Sequence, residues 1–487
     1  MTTRSRWTHA LILLLVALAI RAWDFGNPVI EPDQQYYLLV GDRLLHGAVP
    51  YIDIWDRKPI GLFLLFAGIR MLPGNGILAY QLMATLCAWA TAIVVGRAAK
   101  TLGTNDRGAL GAGTAYLLVI ALVGGGGGQA PVFYNLPMAV AGLLTLHLPA
   151  KATAERPVAI VASGIVACLL AGIAIQLKYT PMFEGAFFGL AHLWFLRRAG
   201  ARWGGIVGAT AAWALMGLLP TLAAIGWYRA QGQTAFDAFW FANVTSIALR
   251  RGYAASDLAI RLLGIAAQLS PLILGAVLTW RARPRGGAVR ETILVGYAWL
   301  GFALAGFFAI GTFFDHYALP LVAPLAILAA PTLGRSIRML ILTLGVAIAI
   351  LIAKRLLHPS DAAGAYAVAQ VVEANSGGAC PYVFIGDTIT YHLAHACLPT
   401  AYAFPNLLAY DTEQGATGID EAGEVRRILA RRPPVIVTSD RRLSIWNRGS
   451  LRAVKAALAR DYRPVFTTPR NSWHTIVYLR NDRRFRS

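Results

Sequence analysis

Apolar stretches separated by short polar connections fill the chain from its start to about residue 350. A helix needs about 20 apolar residues to cross the hydrocarbon core of a bilayer, and a window of about 19 residues detects such segments. The stretches lie at residues 8–23, 77–95, 109–123, 136–148, 158–177, 182–196, 204–227, 258–280, 292–313, 318–333 and 339–352. The pattern predicts an α-helical polytopic membrane protein with about eleven transmembrane helices.

Two apolar stretches need a separate interpretation. The first follows Arg4 and Arg6 as a signal peptide does, but no small-residue cleavage site comes after it, so we predict a retained helix. The stretch from Pro59 to Leu72 is too short to span the bilayer. We predict an interfacial or half-inserted helix there, because a crossing would invert every later connection against the charge pattern.

Lys and Arg residues cluster in alternate connections between the apolar stretches. Five such connections fall on the same side as the N-terminus, and they are residues 97–107, 151–156, 197–202, 281–290 and 335–338. Basic connections mark the cytoplasmic side. The opposite, outer side then receives residues 24–73, the glycine run 124–128, residues 229–257, residues 315–317 and everything after about Lys354.

The composition agrees with a membrane protein. Of the 487 residues, 57% are hydrophobic and only 14% are charged, and the mean hydropathy is +0.54. The formal charge of +20 raises nucleic acid as a partner. The basic residues lie mostly between the apolar stretches and near the C-terminus, so we expect orienting loop charges and no nucleic-acid binding.

Residues 354–487 form a different kind of segment, charged and rich in turn residues. We predict helices from Ser360 to about residue 374, from Asp420 to about 431 and after Ser450, with strands at 382–385, 435–438, 464–467 and 475–479. Alternating strands and helices indicate a small α/β soluble domain outside the membrane. Residues 1–353 form the membrane domain, and the outer loop 24–73 within it carries the active site in this interpretation.

The four cysteines divide into two groups. Cys87 and Cys168 lie inside apolar stretches and are expected to be packing residues. Cys380 and Cys397 lie in the outer domain. They pair if that compartment is oxidising, and the alternative is two free buried thiols.

Ionisable residues near the membrane are densest in the first outer loop. They are Glu31, Asp33, Asp42, Arg43, His46, Asp53, Asp56, Arg57 and Lys58. Any single one is explained by a solvated loop. The order of the residues is more informative, because Asp33 opens a predicted helix with Tyr37 four residues later. Gly47, Pro50-Tyr51, Asp53 and Lys58-Pro59 follow, with Lys178, His316-Tyr317, Pro320 and Pro324 further along the chain.

This pattern, over roughly the first 330 residues, resembles the glycosyltransferase-C superfamily. The likeness is to its bacterial branch of lipid A aminoarabinose transferases and protein O-mannosyltransferases. The resemblance implies an inverting glycosyltransferase in the bacterial inner membrane, with its active site facing the periplasm. It implies a polyprenyl-phosphate-linked sugar as donor and a cell-envelope glycan or lipid, such as lipopolysaccharide, as acceptor.

The resemblance also assigns roles to residues. Asp33 takes the catalytic position, where a carboxylate orients or accepts the proton of an acceptor hydroxyl. Lys58, Arg57 and Lys178 are candidates to bind the donor phosphate. Alternatively, Lys58 or Arg57 reaches lipid headgroups, and Lys178 anchors a helix end. The possible supporting residues are Glu31, Tyr37, Asp53, Asp56, His316 and Tyr317.

The chain departs from the family pattern at three places. Gln34 stands where an acidic residue commonly follows the first aspartate, and Ile60 stands where a second proline is common. The next outer loop offers only Gln129 and Asn135 instead of an acidic residue. A divalent metal is therefore possible but not assigned.

Two further features have competing interpretations. His316 is either a metal or phosphate ligand or a hydrogen-bonded histidine at a helix start. The run Gly124–Gly128 is predicted to be a flexible loop, and the alternative is a part in gating the acceptor.

Two other functions compete with sugar transfer. A transporter or flippase of a lipid-linked sugar typically shows repeated halves and ionisable residues at the bilayer midplane, and neither is evident here. An outer-surface binding or assembly protein gives no reason for the charged cluster in the first loop.

Overall fold

The computed structural model describes residues 3–357, 360–470 and 472–486, with the side chains of the first helix from Trp7 onward. Among the described residues, sixteen α-helices precede residue 358. The first ten are α1 Thr3–Arg21, α2 Pro32–Leu45, α3 Ile60–Arg70, α4 Ile77–Thr101, α5 Asp106–Leu122, α6 Ala130–Leu146, α7 Leu148–Thr153, α8 Pro157–Ile175, α9 Pro181–Arg198 and α10 Trp203–Ala230. The next six are α11 Gln233–Trp240, α12 Ser246–Ala248, α13 Ala255–Arg281, α14 Gly287–Ile310, α15 Leu319–Arg335 and α16 Ile337–Leu357.

A helix lies at each of the eleven predicted membrane positions, but fewer of them qualify as spans. Within the described ranges, 9 helical segments are long and apolar enough to cross a membrane. The two that do not qualify are α5, which has 17 residues, and α9, which carries Glu184, Arg197 and Arg198. The short helix predicted after Pro59 is confirmed as α3, with 11 residues.

The chain divides into two compact units. Unit 1 comprises residues 1–25, 81–224 and 254–357, and unit 2 comprises residues 26–80, 225–253 and 358–487. The first outer loop and the C-terminal segment thus belong to the same unit. The last segment of unit 2 begins at residue 358, close to residue 354, where the sequence analysis places the start of the C-terminal domain.

Unit 1 is a helical bundle with α15 near its centre. Helix α15 is almost wholly buried and packs against α5, α13 and α14. Small residues permit the close approach of α13 and α15, since a Cβ on Gly275 would lie 2.8 Å from the Cβ of Ala329. Van der Waals packing of this kind substitutes for the hydrophobic effect between helices in lipid.

The glycine run is anchored in unit 1 by a buried arginine. Arg21, at the end of α1, donates from Nη2 to the carbonyl oxygen of Gly127 at 2.7 Å and from Nη1 to that of Gly125. Its Nε donates to Thr85 Oγ1 at 3.0 Å. The run therefore has a specific attachment that its composition alone did not predict.

In unit 2, the C-terminal segment forms the predicted α/β domain. Its helices are α17 Ala362–Ser376, α18 Ile389–Leu393, α19 Pro405–Ala409, α20 Glu421–Ala430 and α21 Arg448–Asp461. Its strands are β1 Tyr382–Val383, β2 Val435–Ser439, β3 Tyr462–Arg470 and β4 Trp473–Arg480. They form one sheet of order β1-β2-β4-β3, in which β1 and β2 are parallel and the other pairs are antiparallel. Val425, Ile428 and Val454 pack with Ile436 of β2 in the core.

The predicted disulfide is confirmed. Cys380 and Cys397 are bonded across a sequence separation of 17 residues, with their Cα atoms 4.9 Å apart. Cys87 and Cys168 are free thiols. The alternative of two unpaired outer cysteines is therefore wrong.

Replacing Cys380 by Ser should destabilise the protein. A loop of about 15 residues closed by a disulfide is associated with about 3 kcal/mol of stability, chiefly through the unfolded chain. We expect a lower midpoint of thermal unfolding for purified full-length Cys380→Ser in detergent, and the same loss for the wild type under reductant. Cys87→Ala serves as the control, and an unchanged midpoint for Cys380→Ser would contradict the expectation.

Candidate active site

The first turn of α2 presents Asp33. Glu31 precedes the helix in an extended conformation, and Pro32 occupies the first helical position, where its missing N–H costs nothing. Asp33 follows in the first turn, where the helix dipole favours negative charge. Its side chain is half-buried, and the residues after it in the helix are buried.

Lys58 and Asp56 lie in the same part of unit 2 as Asp33. The Nζ of Lys58 is 5.8 Å from the centroid of the Tyr37 ring. Burial raises the pKa of Asp56, and the charge of Asp33 acts in the same direction while Lys58 opposes it. The structure thus brings together two carboxylates, a cation and Tyr37 from two segments of the first outer loop.

A left-handed residue shapes the connection between these two segments. Tyr51 has φ +72°, which is unfavourable for a bulky residue. Its ring is buried beside Phe63, Tyr228 and Phe239, and its hydroxyl donates to the carbonyl oxygen of Lys58 at 2.8 Å. Sequence reasoning noted Tyr51 only as part of a motif and missed its positioning of Lys58, because the ring partners are distant in sequence.

The guanidinium of Arg57 contacts protein groups on several sides. It donates to Glu413 Oε2 at 2.5 Å, to Ser246 Oγ at 3.1 Å and to the carbonyl oxygen of Ala416 at 2.9 Å. Burial lowers the pKa of Arg57, and Glu413 opposes that effect. Asp53, by contrast, is exposed and accepts a hydrogen bond from the amide of Val49 at 2.7 Å, as a turn residue does.

The predicted residues of unit 1 form a group of their own. Lys178 Nζ lies 4.0 Å from the centroid of the Tyr317 ring, and the rings of His316 and Tyr317 are 4.5 Å apart. Both aromatic residues belong to a 3₁₀ turn, Asp315–Ala318, that precedes α15. Asn135, predicted in the second outer loop, lies instead within α6, where it is buried and donates to the carbonyl oxygen of Leu319 at 3.1 Å.

Asp42 joins α2 to α3 and to the C-terminal domain of unit 2. Its Oδ1 accepts from Arg70 Nε at 2.9 Å, and its Oδ2 is 3.6 Å from His392 Nδ1. The carboxylate is mostly buried. Burial by itself raises the pKa of Asp42, but His392 and Arg70 outweigh it and lower the pKa to about 2.

A metal site was left open by the sequence. Among the described residues, no group of three or more His, Cys, Asp or Glu side chains is placed to hold a metal ion. No step below is assigned to a metal.

Comparisons with known proteins identify the fold. No family model and no curated protein sequence matches the chain. Among solved structures, it is similar to an archaeal oligosaccharyltransferase, AglB from Archaeoglobus fulgidus, solved with an inhibitory peptide and a dolichol-phosphate. The TM-score is 0.52 at 11% identity over 98% of this chain and 74% of that one. The chain thus has the glycosyltransferase-C fold that its sequence pattern resembles.

Within that fold class, the fold is ArnT-like. It matches ArnT from Cupriavidus metallidurans, solved in the apo state, with a TM-score of 0.63 at 13% identity. The match covers 96% of this chain and 97% of ArnT. Because the likeness extends over nearly the whole of both chains, it includes the C-terminal segment that the sequence motifs did not reach.

Asp42→Asn should lower stability in a pH-dependent way. The folded-state pKa lies below the ordinary value of 3.8, so the carboxylate stabilises the folded protein above about pH 4 and loses that effect as the pH falls through about 2. After allowance for solvent screening, we expect a loss of about 1 kcal/mol at neutral pH. Thermal unfolding of wild type and variant between neutral and acid pH checks this, with the exposed Asp237→Asn as control. A difference that grows toward acid pH would contradict the assignment.

Proposed function

We propose that the protein is an inverting glycosyltransferase that moves a sugar from a polyprenyl-phosphate donor to a cell-envelope glycan or lipid acceptor. The main support for the proposal is the ArnT-like fold, which extends over 96% of the chain. In addition, carboxylates and a lysine lie together in the first outer loop. A second protein of the same fold, AglB, was solved with a dolichol-phosphate, which is a lipid phosphate of the proposed kind.

Asp33 acts as the base in this proposal. An acceptor hydroxyl is a poor nucleophile until a carboxylate takes or orients its proton while the bond to the sugar forms. Burial raises the pKa of neighbouring Asp56, and the charge of Asp33 acts in the same direction. We assign proton acceptance to Asp33, which stands in the first turn of α2, where the helix dipole favours a charged carboxylate.

Lys58 stabilises the lipid phosphate as it leaves. Negative charge grows on that phosphate during transfer, and a fixed cation lowers the energy of the transition state. Arg57 has several of its donors on protein acceptors, so we propose that it chiefly positions its neighbour Lys58. Lys178, over the ring of Tyr317 in unit 1, stays a predicted phosphate ligand on the strength of the sequence pattern. Glu31, Tyr37, Asp53 and His316 stay predicted supporting residues.

We place the reaction on the outer face of a bacterial inner membrane. The disulfide between Cys380 and Cys397 belongs to the same unit as Asp33. Disulfides persist in oxidising compartments such as the periplasm and are rare in the cytosol. The bond therefore supports the orientation inferred from the basic connections.

Asp33→Asn should remove transfer while the protein stays folded and keeps its donor. General base catalysis contributes about 100-fold to 10,000-fold, so we expect at least a 100-fold loss of turnover. Mass analysis of envelope glycans from cells with and without the protein identifies the product, and turnover is then measured in membranes. Asp237→Asn, an exposed carboxylate of unit 2, is the matched control, and full turnover by Asp33→Asn would exclude Asp33 from the mechanism.

Lys58→Ala should impair use of the donor far more than it lowers expression. A hydrogen bond to a charged group is worth about 1.5–3 kcal/mol, so we expect kcat/KM for the lipid-linked donor to fall about 10-fold to 100-fold. Lys58→Arg should restore part of the loss, and Lys455→Ala, on an exposed face of α21, should have no effect. An unchanged kcat/KM for Lys58→Ala would reassign Lys58 to membrane anchoring.

A further inference from the structure

A cleft of about 280 Å³ opens beyond the carboxyl ends of the two parallel strands of unit 2. We name it the strand-end cleft. The segment after β1 contributes Asp387, the end of β2 contributes Ser439, and β4 contributes Trp473 and Thr475. In open α/β sheets, ligands bind in the crevice outside the carboxyl ends of the strands. The cleft thus lies at the strand ends, where ligands of open α/β sheets bind, and its volume is slightly below the usual range of small-molecule sites, about 300–1,000 Å³.

The lining has the chemistry of a saccharide site. Asn406 of α19 adds an amide to the carboxylate of Asp387 and to the hydroxyls of Ser439 and Thr475. Such groups exchange hydrogen bonds with hydroxyls, which donate and accept at once. The ring of Trp473 offers an apolar surface to the C–H face of a sugar ring. No glycine-rich phosphate loop follows either parallel strand, so the sequence gives no sign of a nucleotide.

Charged groups in the cleft are positioned before any ligand arrives. Asp387 Oδ1 accepts from Arg470 Nη2 at 3.0 Å and from Gln35 Nε2 at 3.1 Å. Within the described part of the chain, no hydrogen bond to its Oδ2 is found, so that oxygen is available to a hydroxyl. The guanidinium of Arg441 lies 4.4 Å from the centroid of the Trp473 ring, and this cation–π contact favours the observed arrangement of the two side chains.

The strand-end cleft also touches the segment that presents the proposed base. Pro32 and Gln35 of α2 line the cleft, and Asp33 directly follows Pro32 in the chain. Gln35 Oε1 accepts from the amide of Ile389 at 3.3 Å. The Gln35 side chain therefore bonds the segment after β1 at two points, Asp387 and Ile389. A ligand in the cleft is therefore held against the first turn of α2.

We propose that the strand-end cleft binds a saccharide unit of the acceptor, away from the hydroxyl that reacts. That the saccharide belongs to the acceptor rests on the proposed function. That the cleft binds a saccharide does not. Contacts to a remote part of a substrate hold it in place for reaction. In this case they fix the acceptor relative to α2 and hence relative to Asp33.

Binding is tested with purified full-length protein in detergent by saturation-transfer NMR. The probes are N-acetylglucosamine, galactose and glucuronic acid, with glycerol as a hydroxyl-bearing control that has no ring. We expect saturation of at least one saccharide and none of glycerol. Asn406→Ala and Arg441→Ala should each weaken that binding about 10-fold, in line with about 1.4 kcal/mol for a lost polar contact.

The matched control is Arg442→Ala, which changes the neighbouring exposed arginine outside the lining. Thermal unfolding of all variants shows whether they are folded. Absence of saccharide binding by the wild type would overturn the proposal, as would equal binding by wild type, Asn406→Ala and Arg441→Ala. The use of two variants in different elements keeps the test decisive if one of them fails to fold.

A kinetic measurement separates this proposal from the proposed function. In membranes that transfer sugar, Asn406→Ala should raise the KM for the acceptor about 10-fold with little change in kcat, because it removes binding shared by the ground state and the transition state. Asp33→Asn should do the reverse and leave saccharide binding intact. Binding without any transfer by the wild type would overturn the proposed function alone, and transfer with an unchanged acceptor KM in the variant would overturn the strand-end cleft alone.

Discussion

Buried polar side chains of the first outer loop take their hydrogen-bond partners from the C-terminal domain, and the arrangement of unit 2 depends on that pairing. Gln35 bonds Asp387, Arg57 bonds Glu413, and Asp42 lies against His392. A buried polar group without a partner costs about 1–3 kcal/mol, and a buried charge costs more. The loop therefore keeps its buried conformation only while the domain supplies these groups. An α/β domain that looks like an appendage in the sequence is in this sense part of the site.

The same pairing divides the charged cluster into residues that meet opposite charges in unit 2 and residues that lie close to one another. Arg57 and Asp42 meet opposite charges inside unit 2. Asp33 and Lys58 instead act on the ionisation of Asp56. Tyr51, in its left-handed conformation, donates a hydrogen bond to the carbonyl oxygen of Lys58. The nine ionisable residues of the loop thus include a structural set and a smaller set to which the proposed function assigns chemistry.

The sequence predicted most elements because hydropathy and alternation are local signals. It located every membrane helix, and it overestimated the number of spans only where α5 is short and α9 is polar. The strands β2 and β4 were found because their apolar residues alternate or run together between turn residues. Local signals cannot identify contacts between residues that are distant in sequence. Nothing near Arg57 indicates Glu413, 356 residues away, and nothing in the glycine run indicates Arg21 as its donor.

The separation of Arg57 from Glu413 has a consequence for how the protein is made. Ribosomes add about 5–20 residues per second, so the partner of Arg57 emerges about 20 to 70 s after it. During that interval Arg57 lacks its carboxylate partner Glu413. The first outer loop therefore completes its contacts only after the C-terminal domain has been translated. A chain truncated before Glu413 lacks this partner of the loop, even if its membrane helices insert correctly.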